Sequence, residues 1–267
     1  MTHGWFMGTA RPRVLAHRGL LTAEDVAHGV VENSFAAVAA AHAAGAEYIE
    51  SDCHLTVDGT VVLFHDDDLS RVADDPRKVA DVTLGELESL LADRGGLITL
   101  EQALDSFPRT RFNLDVKAKD AAPEVGRIVA PHADRVLLTS FSDLRRRTAL
   151  AAAESAAPGM RPATSAGSAT IGRVLGALAS HSSRLVARAL ASVDALQVPE
   201  RYRSLRIVTP RLIAAAHRQN VEVHVWTVND PRDMRRLVSM GVDGLVTDRA
   251  DIALEVLQGG NPPPPTP

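Results

Sequence analysis

Acidic and imidazole side chains cluster in the stretch EYIESDCHLTVDGTVVLFHD, residues 47–66. Two extended runs flank Asp58-Gly59, a residue pair that favours a tight hairpin turn. With a two-residue turn, Asp52 would pair with His65, and side-chain alternation would place Glu50 on the same face. Two carboxylates held close together repel each other unless positive charge lies between them, so this face suits a divalent cation. A solvated strand face is the alternative interpretation.

Further reactive residues follow predicted strands elsewhere in the chain. The first strand leads into His17 and Arg18, and a strand at 111–117 places Asp115 and Lys117 on one face. With Asp115 the acids form a hard-oxygen set that suits Mg²⁺ or Ca²⁺, while the two cations complement a phosphate. Two imidazoles, which titrate near neutrality, can exchange protons. Together these groups indicate metal-assisted phosphoryl transfer.

Several of these residues also have a purely structural interpretation. Asp115 and Lys117 could form a simple ion pair at a strand end, and either histidine alone could be structural. His54 shares the face of the acids but has no assigned role, and His224 lies in mid-strand, where a structural role is expected. Cys53 points to the opposite face, which favours packing. The whole set therefore carries more weight than any member.

Strands and helices alternate along the chain, which predicts an α/β fold. About eight strands in roughly 245 residues are typical of a (β/α)8 TIM barrel, here residues 13–257 with a small insertion at 67–98 after the second-strand hairpin. A doubly wound open sheet is the alternative, but the first strand is followed by HRG rather than by a glycine-rich phosphate loop. In a barrel, the carboxyl ends of the strands meet on one face, where the reactive residues would gather.

Composition narrows the function further. The 267 residues carry a net charge of −4, which argues against a general binder of nucleic acids or membrane surfaces. No apolar run reaches the ~20 residues of a transmembrane helix. One cysteine excludes an internal disulfide and fits a reducing compartment, so a cytoplasmic location is expected. Residues 1–12 are predicted to be an N-terminal tail, and 258–267 a proline-rich disordered tail.

In order and spacing, the motifs of this chain resemble those of the glycerophosphodiester phosphodiesterase family. They are HRG at 17–19, ENS at 32–34, E-x-D at 50–52, DG at 58–59, HD at 65–66, NLDVK at 113–117, VWTVN at 225–229 and VDGLVTDR at 242–249. Each motif is weak alone, but their order is highly specific. The resemblance covers residues 14–257, nearly the whole chain.

The resemblance implies a TIM barrel in which His17 and His65 form the acid/base pair. It also implies a divalent cation, Mg²⁺ or Ca²⁺, held by Glu50, Asp52 and Asp115. Asp115 stands where the family usually has glutamate, so its carboxylate reaches one methylene less, which could alter metal coordination. The choice of metal stays open.

The same resemblance assigns the substrate contacts. Arg18 and Lys117 would bind the phosphate, with Glu32 orienting Arg18. As a hypothesis, Phe141 and Trp226 would pack on the glycerol or on the alcohol head group. The insertion at 67–98 is expected to cap the site.

The reaction implied is hydrolysis of a glycerophosphodiester, an activity of lipid and glycerol metabolism. A glycerol hydroxyl attacks phosphorus while one histidine takes its proton and the other protonates the leaving alcohol. Water then opens the cyclic phosphate with the roles reversed, which releases glycerol 3-phosphate. The sequence leaves open which histidine acts first as base, which head group is released, and the oligomeric state.

Two alternatives remain beside this reaction. A lysophospholipase D-like phosphodiesterase would share the barrel and the histidines, but it should have an apolar rim, and none is evident in the sequence. A non-catalytic phosphate- or polyol-binding barrel would be expected to have lost a histidine or an acid. We therefore expect an enzyme with a small-molecule substrate, no nucleic-acid partner and no integral membrane segment.

Overall fold

Eight parallel strands surround the centre of the computed structural model, which describes residues 3–9 and 11–258. The strands are, in chain order, β1 (Arg13–His17), β2 (Tyr48–Leu55), β3 (Val61–Leu63), β4 (Arg111–Val116), β5 (Val136–Thr139), β6 (Ala163–Thr164), β7 (Ala195–Pro199), β8 (Arg201–Tyr202), β9 (Leu205–Arg206), β10 (Glu222–Trp226) and β11 (Gly244–Thr247). The hydrogen-bonded order is β6-β5-β4-β2-β1-β11-β10-β7, and a parallel bridge between Ser165 and Ala195 joins the two ends. The predicted (β/α)8 barrel is thereby confirmed.

Helices cover the outside of this barrel. They are α1 (Ala23–Ala27), α2 (Phe35–Ala43), α3 (Ser70–Ala73), α4 (Leu84–Leu91), α5 (Leu100–Ser106), α6 (Ala121–Val129), α7 (Asp143–Ala156), α8 (Ser168–Ala179), α9 (Ser183–Leu190), α10 (Pro210–His217), α11 (Pro231–Ser239) and α12 (Ala250–Gln258). Within the described residues, none of them combines the length and the apolar content needed to cross a bilayer. Residues 259–267, nearly all of the predicted proline-rich tail, lie outside the described part of the chain.

One of these helices, α6, contains residue types that helix interiors disfavour. In α6 the residues Pro123 and Gly126 obscure the helical pattern of the sequence. Pro123 lies in the first turn, where its missing N–H costs no hydrogen bond. A Cβ on Gly126 would come within 2.2 Å of the Ala149 carbonyl oxygen of α7, so glycine permits close packing of these two helices.

The hairpin register differs from the predicted one by one residue. Cys53 pairs with Leu63, and the Thr56 N–H donates to the Thr60 carbonyl at 3.0 Å, which leaves a three-residue loop. A two-residue type I′ turn needs positive φ at both central residues, whereas only Gly59 of this loop has it, at +84°. His65 is therefore not the cross-strand partner of Asp52, and it follows the end of β3.

The insertion at 67–98 packs beside this hairpin on its own apolar cluster. Its buried members are Val62, Phe64, Leu69, Val72, Val79, Val82, Leu87 and Leu91. This cluster is separate from the main core between the barrel and its helices. The insertion is therefore a small layer attached to the side of the barrel.

The amino-terminal end of the barrel is closed by a segment that the sequence predicted to be a tail. Residues Gly4–Phe6 form a short 3₁₀ helix, and Trp5 is fully buried, with its indole N–H donating to the Phe112 carbonyl at 3.1 Å. The prediction of an N-terminal tail is thus wrong for residues 3–9. An indole whose N–H has a hydrogen-bond partner is well suited to a buried position, and Trp5 occupies one.

A buried ion pair lies next to this N-terminal segment. The Arg13 guanidinium donates to both oxygens of Glu222, at 2.8 and 2.9 Å, and His224 lies 3.0 Å from the same carboxylate. Burial alone would raise the pKa of Glu222, but hydrogen bonds with Arg13 and His224 outweigh it and lower that pKa to about 2. The charge of Glu222 is therefore part of the folded state.

Replacing Glu222 by glutamine should destabilise the fold. Glu222→Gln leaves the Arg13 charge buried without its counterion, so the free energy of unfolding at pH 7 should fall by about 3–5 kcal/mol in urea titrations. The lowered pKa means that the carboxylate stabilises the fold above its unfolded pKa of about 4.3 and loses this effect as pH falls towards about 2. The difference between wild type and variant should shrink over that range.

The exposed pair of Glu124 and Arg127 provides the matched control. Glu124→Gln should change the stability by no more than about 0.5 kcal/mol. An equally small effect of Glu222→Gln would contradict the structural role of the buried pair.

Candidate active site

A cavity of about 640 Å³ is lined by residues at and beyond the carboxyl ends of the barrel strands. Nine of the ten predicted site residues line it: His17, Arg18, Glu50, Asp52, His65, Asp115, Lys117, Phe141 and Trp226. The tenth, Glu32, lies behind Arg18 and accepts a hydrogen bond from that guanidinium at 2.6 Å. Residues far apart in sequence thus converge as the barrel geometry requires.

The first histidine is held by a carboxylate from the neighbouring strand end. His17 ends β1, and its Nδ1 lies 2.6 Å from Asp248, which follows the adjacent strand β11. Asn229 fixes Asp248 in turn, since its amide nitrogen donates to the carboxylate at 2.7 Å and its amide oxygen accepts from the Asp248 N–H at 2.9 Å. Because a carboxylate only accepts, Nδ1 carries the proton and Nε2 is left to exchange one.

Charges around His17 favour its protonated form. Burial opposes this form, but the hydrogen bond with Asp248 and the charge of Glu50, whose carboxylate lies 3.8 Å from Nε2, together raise the pKa of His17. The same hydrogen bond lowers the pKa of Asp248. His17 therefore keeps its proton to higher pH than a free imidazole does.

The second histidine is held by its neighbour in sequence. The Nδ1 of His65 lies 2.6 Å from Asp66, and the His65 carbonyl lies 3.3 Å from His54 Nε2. Arg71, from the insertion, donates to Asp66 at 2.6 Å and to Glu32 at 2.7 Å. The insertion thus acts on the site through Arg71. Among the described residues, none from 67–98 lines the cavity, so the expectation that this segment caps the site is wrong.

The Asp52 carboxylate is shared by two cations. One of its oxygens lies 3.0 Å from the Lys117 ammonium and the other 3.4 Å from Nε of Arg18. Lys117 also contacts Asp115 at 2.9 Å. Both carboxylates raise the pKa of Lys117 against the effect of burial, so the ammonium stays charged.

Asn33 fixes the position of Asp52. Its amide nitrogen donates to Asp52 at 3.3 Å, and its amide oxygen accepts from the Ser51 hydroxyl at 2.6 Å. Asn33 has a φ of +56°, a conformation that asparagine tolerates well. Asn33 is not needed as a helix cap, because Ser34 caps α2.

Two of the acids each have a buried oxygen without a hydrogen-bond partner. Burial, followed by the charge of Asp52, raises the pKa of Glu50 to about 8, and burial also raises the pKa of Asp115. Oε2 of Glu50 and Oδ1 of Asp115 are buried without a hydrogen-bond partner. Buried, unpaired carboxylate oxygens are the donors that a hard divalent cation prefers.

The oxygen donors at this site therefore suit such a cation, although the distances between them differ from those of ligands around a bound metal ion. Over residues 3–9 and 11–258, no three histidine, cysteine or acidic side chains lie at metal-ligand spacing. The Lys117 ammonium contacts both Asp52 and Asp115.

The opposite half of the cavity is apolar. Phe141 and Trp226 pack edge to face, with ring centroids 5.9 Å apart, and the Lys117 ammonium lies 5.6 Å from the Phe141 ring. The other apolar side chains lining this half include Ile171, Leu175, Val198, Pro199, Tyr202 and Ile207. This wall comes from α8 and the segment around β7–β9, and it supplies the apolar rim that was not evident in the sequence.

Sequence reasoning missed the residues that orient the histidines. Asp248 was visible only as the end of the last strand, Asp66 only as part of the HD pair, and Arg71 had no signal. Their roles depend on which strand ends and loops become neighbours, and that information comes from the closed barrel.

Comparisons with known proteins point to one family. A sequence model described as the glycerophosphoryl diester phosphodiesterase family matches residues 17–252. A Mycobacterium tuberculosis protein named probable glycerophosphodiester phosphodiesterase 2 is 35% identical over 253 residues, which is 91% of this chain and 89% of that protein.

Solved structures share the fold. A glycerophosphodiester phosphodiesterase from Thermotoga maritima superposes with a TM-score of 0.70 at 24% identity, covering 93% of this chain and 100% of that one. An Oleispira antarctica phosphodiesterase in complex with its product sn-glycerol-3-phosphate has a TM-score of 0.69 at 21% identity, covering 93% and 97%.

The pKa of His17 should respond to loss of its carboxylate partner. In Asp248→Asn the imidazole loses a charged acceptor, so the pKa of His17 measured by NMR titration should fall by about one unit. Asp251→Asn, a change in a carboxylate paired with Arg249, is the control and should leave that pKa unchanged. An unchanged His17 titration in Asp248→Asn would contradict the role given to Asp248.

Proposed function

The chain belongs to the glycerophosphoryl diester phosphodiesterase family, and we propose that it hydrolyses glycerophosphodiesters to glycerol 3-phosphate and an alcohol, with two histidines and a divalent cation. The observation that carries this proposal is that His17 and His65 line one cavity, each held through Nδ1 by its own carboxylate at 2.6 Å. A histidine held in this way is a poised acid or base. Cations and acids suited to a phosphate lie in the same cavity.

The phosphate binds to Arg18 and Lys117. Arg18 presents a guanidinium already oriented by Glu32, and its backbone N–H donates to the Glu50 carbonyl at 2.8 Å. Lys117 keeps its charge because of the two carboxylates beside it. A bound phosphodiester is thereby held in place, and its negative charge is balanced as it increases during the reaction.

Proton transfer is divided between the two histidines. One imidazole takes the proton of the glycerol hydroxyl next to the phosphate ester, and that oxygen attacks phosphorus. The other imidazole gives its proton to the oxygen of the departing alcohol as the bond from phosphorus to that oxygen breaks. Water then attacks the phosphorus of the cyclic phosphate and gives its proton to the second imidazole. The bond from phosphorus to the glycerol oxygen that attacked first breaks, and that oxygen takes back a proton from the first imidazole, which yields glycerol 3-phosphate.

Glu50, Asp52 and Asp115 would hold the divalent cation, Mg²⁺ or Ca²⁺. Their oxygen donors and the unpaired oxygens of Glu50 and Asp115 support this assignment. When bound, such a cation stabilises negative charge on the phosphate and on the attacking oxygen. The single cysteine supports a cytoplasmic location, which stays a prediction.

A second candidate function is favoured by the apolar half of the cavity. A lysophospholipid is also a glycerophosphodiester, and its acyl chain would fit against Ile171, Leu175 and Ile207 better than a charged head group would. This lysophospholipase D-like activity uses the same histidines, so it differs from the first candidate in substrate only.

Choline release from glycerophosphocholine tests the proposed reaction. The purified protein should release choline with added Mg²⁺, Ca²⁺ or Mn²⁺, and EDTA should abolish the release. His17→Ala and His65→Ala should each lower kcat by about 10²–10⁴-fold, the contribution of a general acid or base. Lysophosphatidylcholine in a parallel assay separates the two candidate substrates.

The exposed His28 provides the control, since His28→Ala should retain wild-type activity. Full activity in EDTA would contradict the metal requirement, and full activity of either site variant would contradict the two-histidine scheme. Turnover of neither substrate with any of the three metals would overturn the assignment and favour the non-catalytic barrel.

A further inference from the structure

Exposed apolar side chains gather at the mouth of the active-site cavity. Phe141 and Leu144 are 56% and 63% exposed, and Tyr202 and Leu205 are 61% and 57% exposed. Phe141 and Tyr202 also line the cavity, so both pairs belong to its rim. The two rim segments are residues 141–147 and 200–206. Concentrated apolar exposure of this kind marks an interaction surface.

The rim segments are also strongly basic. They contain six arginines and two acids, although the whole chain has a net charge of −4. Arg146 is buried, and the other five arginines are exposed at least in part. The two acids offset only part of this charge, because Asp143 is buried against Arg146 and Glu200 lies 2.7 Å from Arg236 and 3.9 Å from Arg206.

The hairpin of β8 and β9 presents both features on one small element. Its six residues, 201–206, are all exposed, and the pairing sets Tyr202 opposite Leu205 and Arg201 opposite Arg206. Alternation therefore gives the hairpin one apolar face and one cationic face. Like charges directly opposite each other destabilise a strand pair, so an anionic partner would stabilise this hairpin.

We propose that the rim segments dock onto the surface of an anionic lipid bilayer. Arginines can bind lipid phosphates while neighbouring apolar side chains enter the boundary between head groups and acyl chains. A nucleic acid would satisfy the arginines but would leave Leu144 and Leu205 in water. Docking at the rim would bring the cavity, with its apolar half, close to the bilayer. The proposal concerns binding alone and does not depend on the proposed reaction.

Sedimentation with lipid vesicles tests this docking. The full chain is mixed with vesicles of equal parts phosphatidylcholine and phosphatidylglycerol, or with vesicles of phosphatidylcholine alone. It should sediment with the anionic vesicles at low salt and be released by added salt, because the contact is partly electrostatic. It should stay in the supernatant with neutral vesicles.

Two sets of variants locate the surface. The triple variant R201Q/R203Q/R206Q should weaken the partition onto anionic vesicles about tenfold or more, and L205S should weaken it several-fold. The control R184Q/R188Q/R218Q removes the same charge from exposed positions outside the rim segments and should bind far better than the hairpin variant. Far-UV circular dichroism and the thermal midpoint of every variant should match the wild type.

Three results would overturn the proposal. The first is a wild-type chain that does not sediment with anionic vesicles, which would leave a protein partner as the occupant of the rim. The second is equal binding to neutral and anionic vesicles. The third is equal loss of binding in the hairpin variant and its charge-matched control, which would mean that net charge rather than the rim controls the binding.

Discussion

The buried carboxylate of Asp52 is the group on which the rest of the site depends. It lies 3.0 Å from the Lys117 ammonium and 3.4 Å from Nε of Arg18, and leaving it without these partners would cost several kcal/mol. The two cations that neutralise Asp52 are also the ones proposed to bind the phosphate. Arg18 donates a hydrogen bond to Glu32. Arg71 of the insertion donates both to Glu32 and to Asp66, the carboxylate beside His65. The contacts that balance the charge of Asp52 therefore also hold the proposed catalytic groups in position.

Much of this site could be predicted from the sequence, because a parallel barrel brings its strand ends together. His17 and Asp115 are recognisable near the ends of their strands and Glu50 within its strand, and the fold brings them into one cavity. Register was harder to predict, since an Asp-Gly pair also suits a three-residue loop with only the glycine at positive φ. Asp248 escaped notice as the partner of His17 because their contact joins the last strand to the first.

The cavity has two chemically different halves, which limits what can bind there. Charged side chains on β1, β2 and β4 face an apolar wall built from α8 and the chain around β7–β9. An amphiphilic phosphodiester would place its phosphate against the first half and its apolar part against the second. The rim of the cavity likewise combines charged and apolar side chains at the protein surface.

Phosphorus NMR of the products tests the central claim, which is attack on phosphorus by the glycerol hydroxyl with departure of the head group. During turnover of glycerophosphocholine, we expect all phosphorus to appear in glycerol 3-phosphate, with the cyclic glycerophosphate as the only intermediate. Phosphocholine as the product would mean that the other ester bond is broken. That result would contradict the roles assigned to His17 and His65.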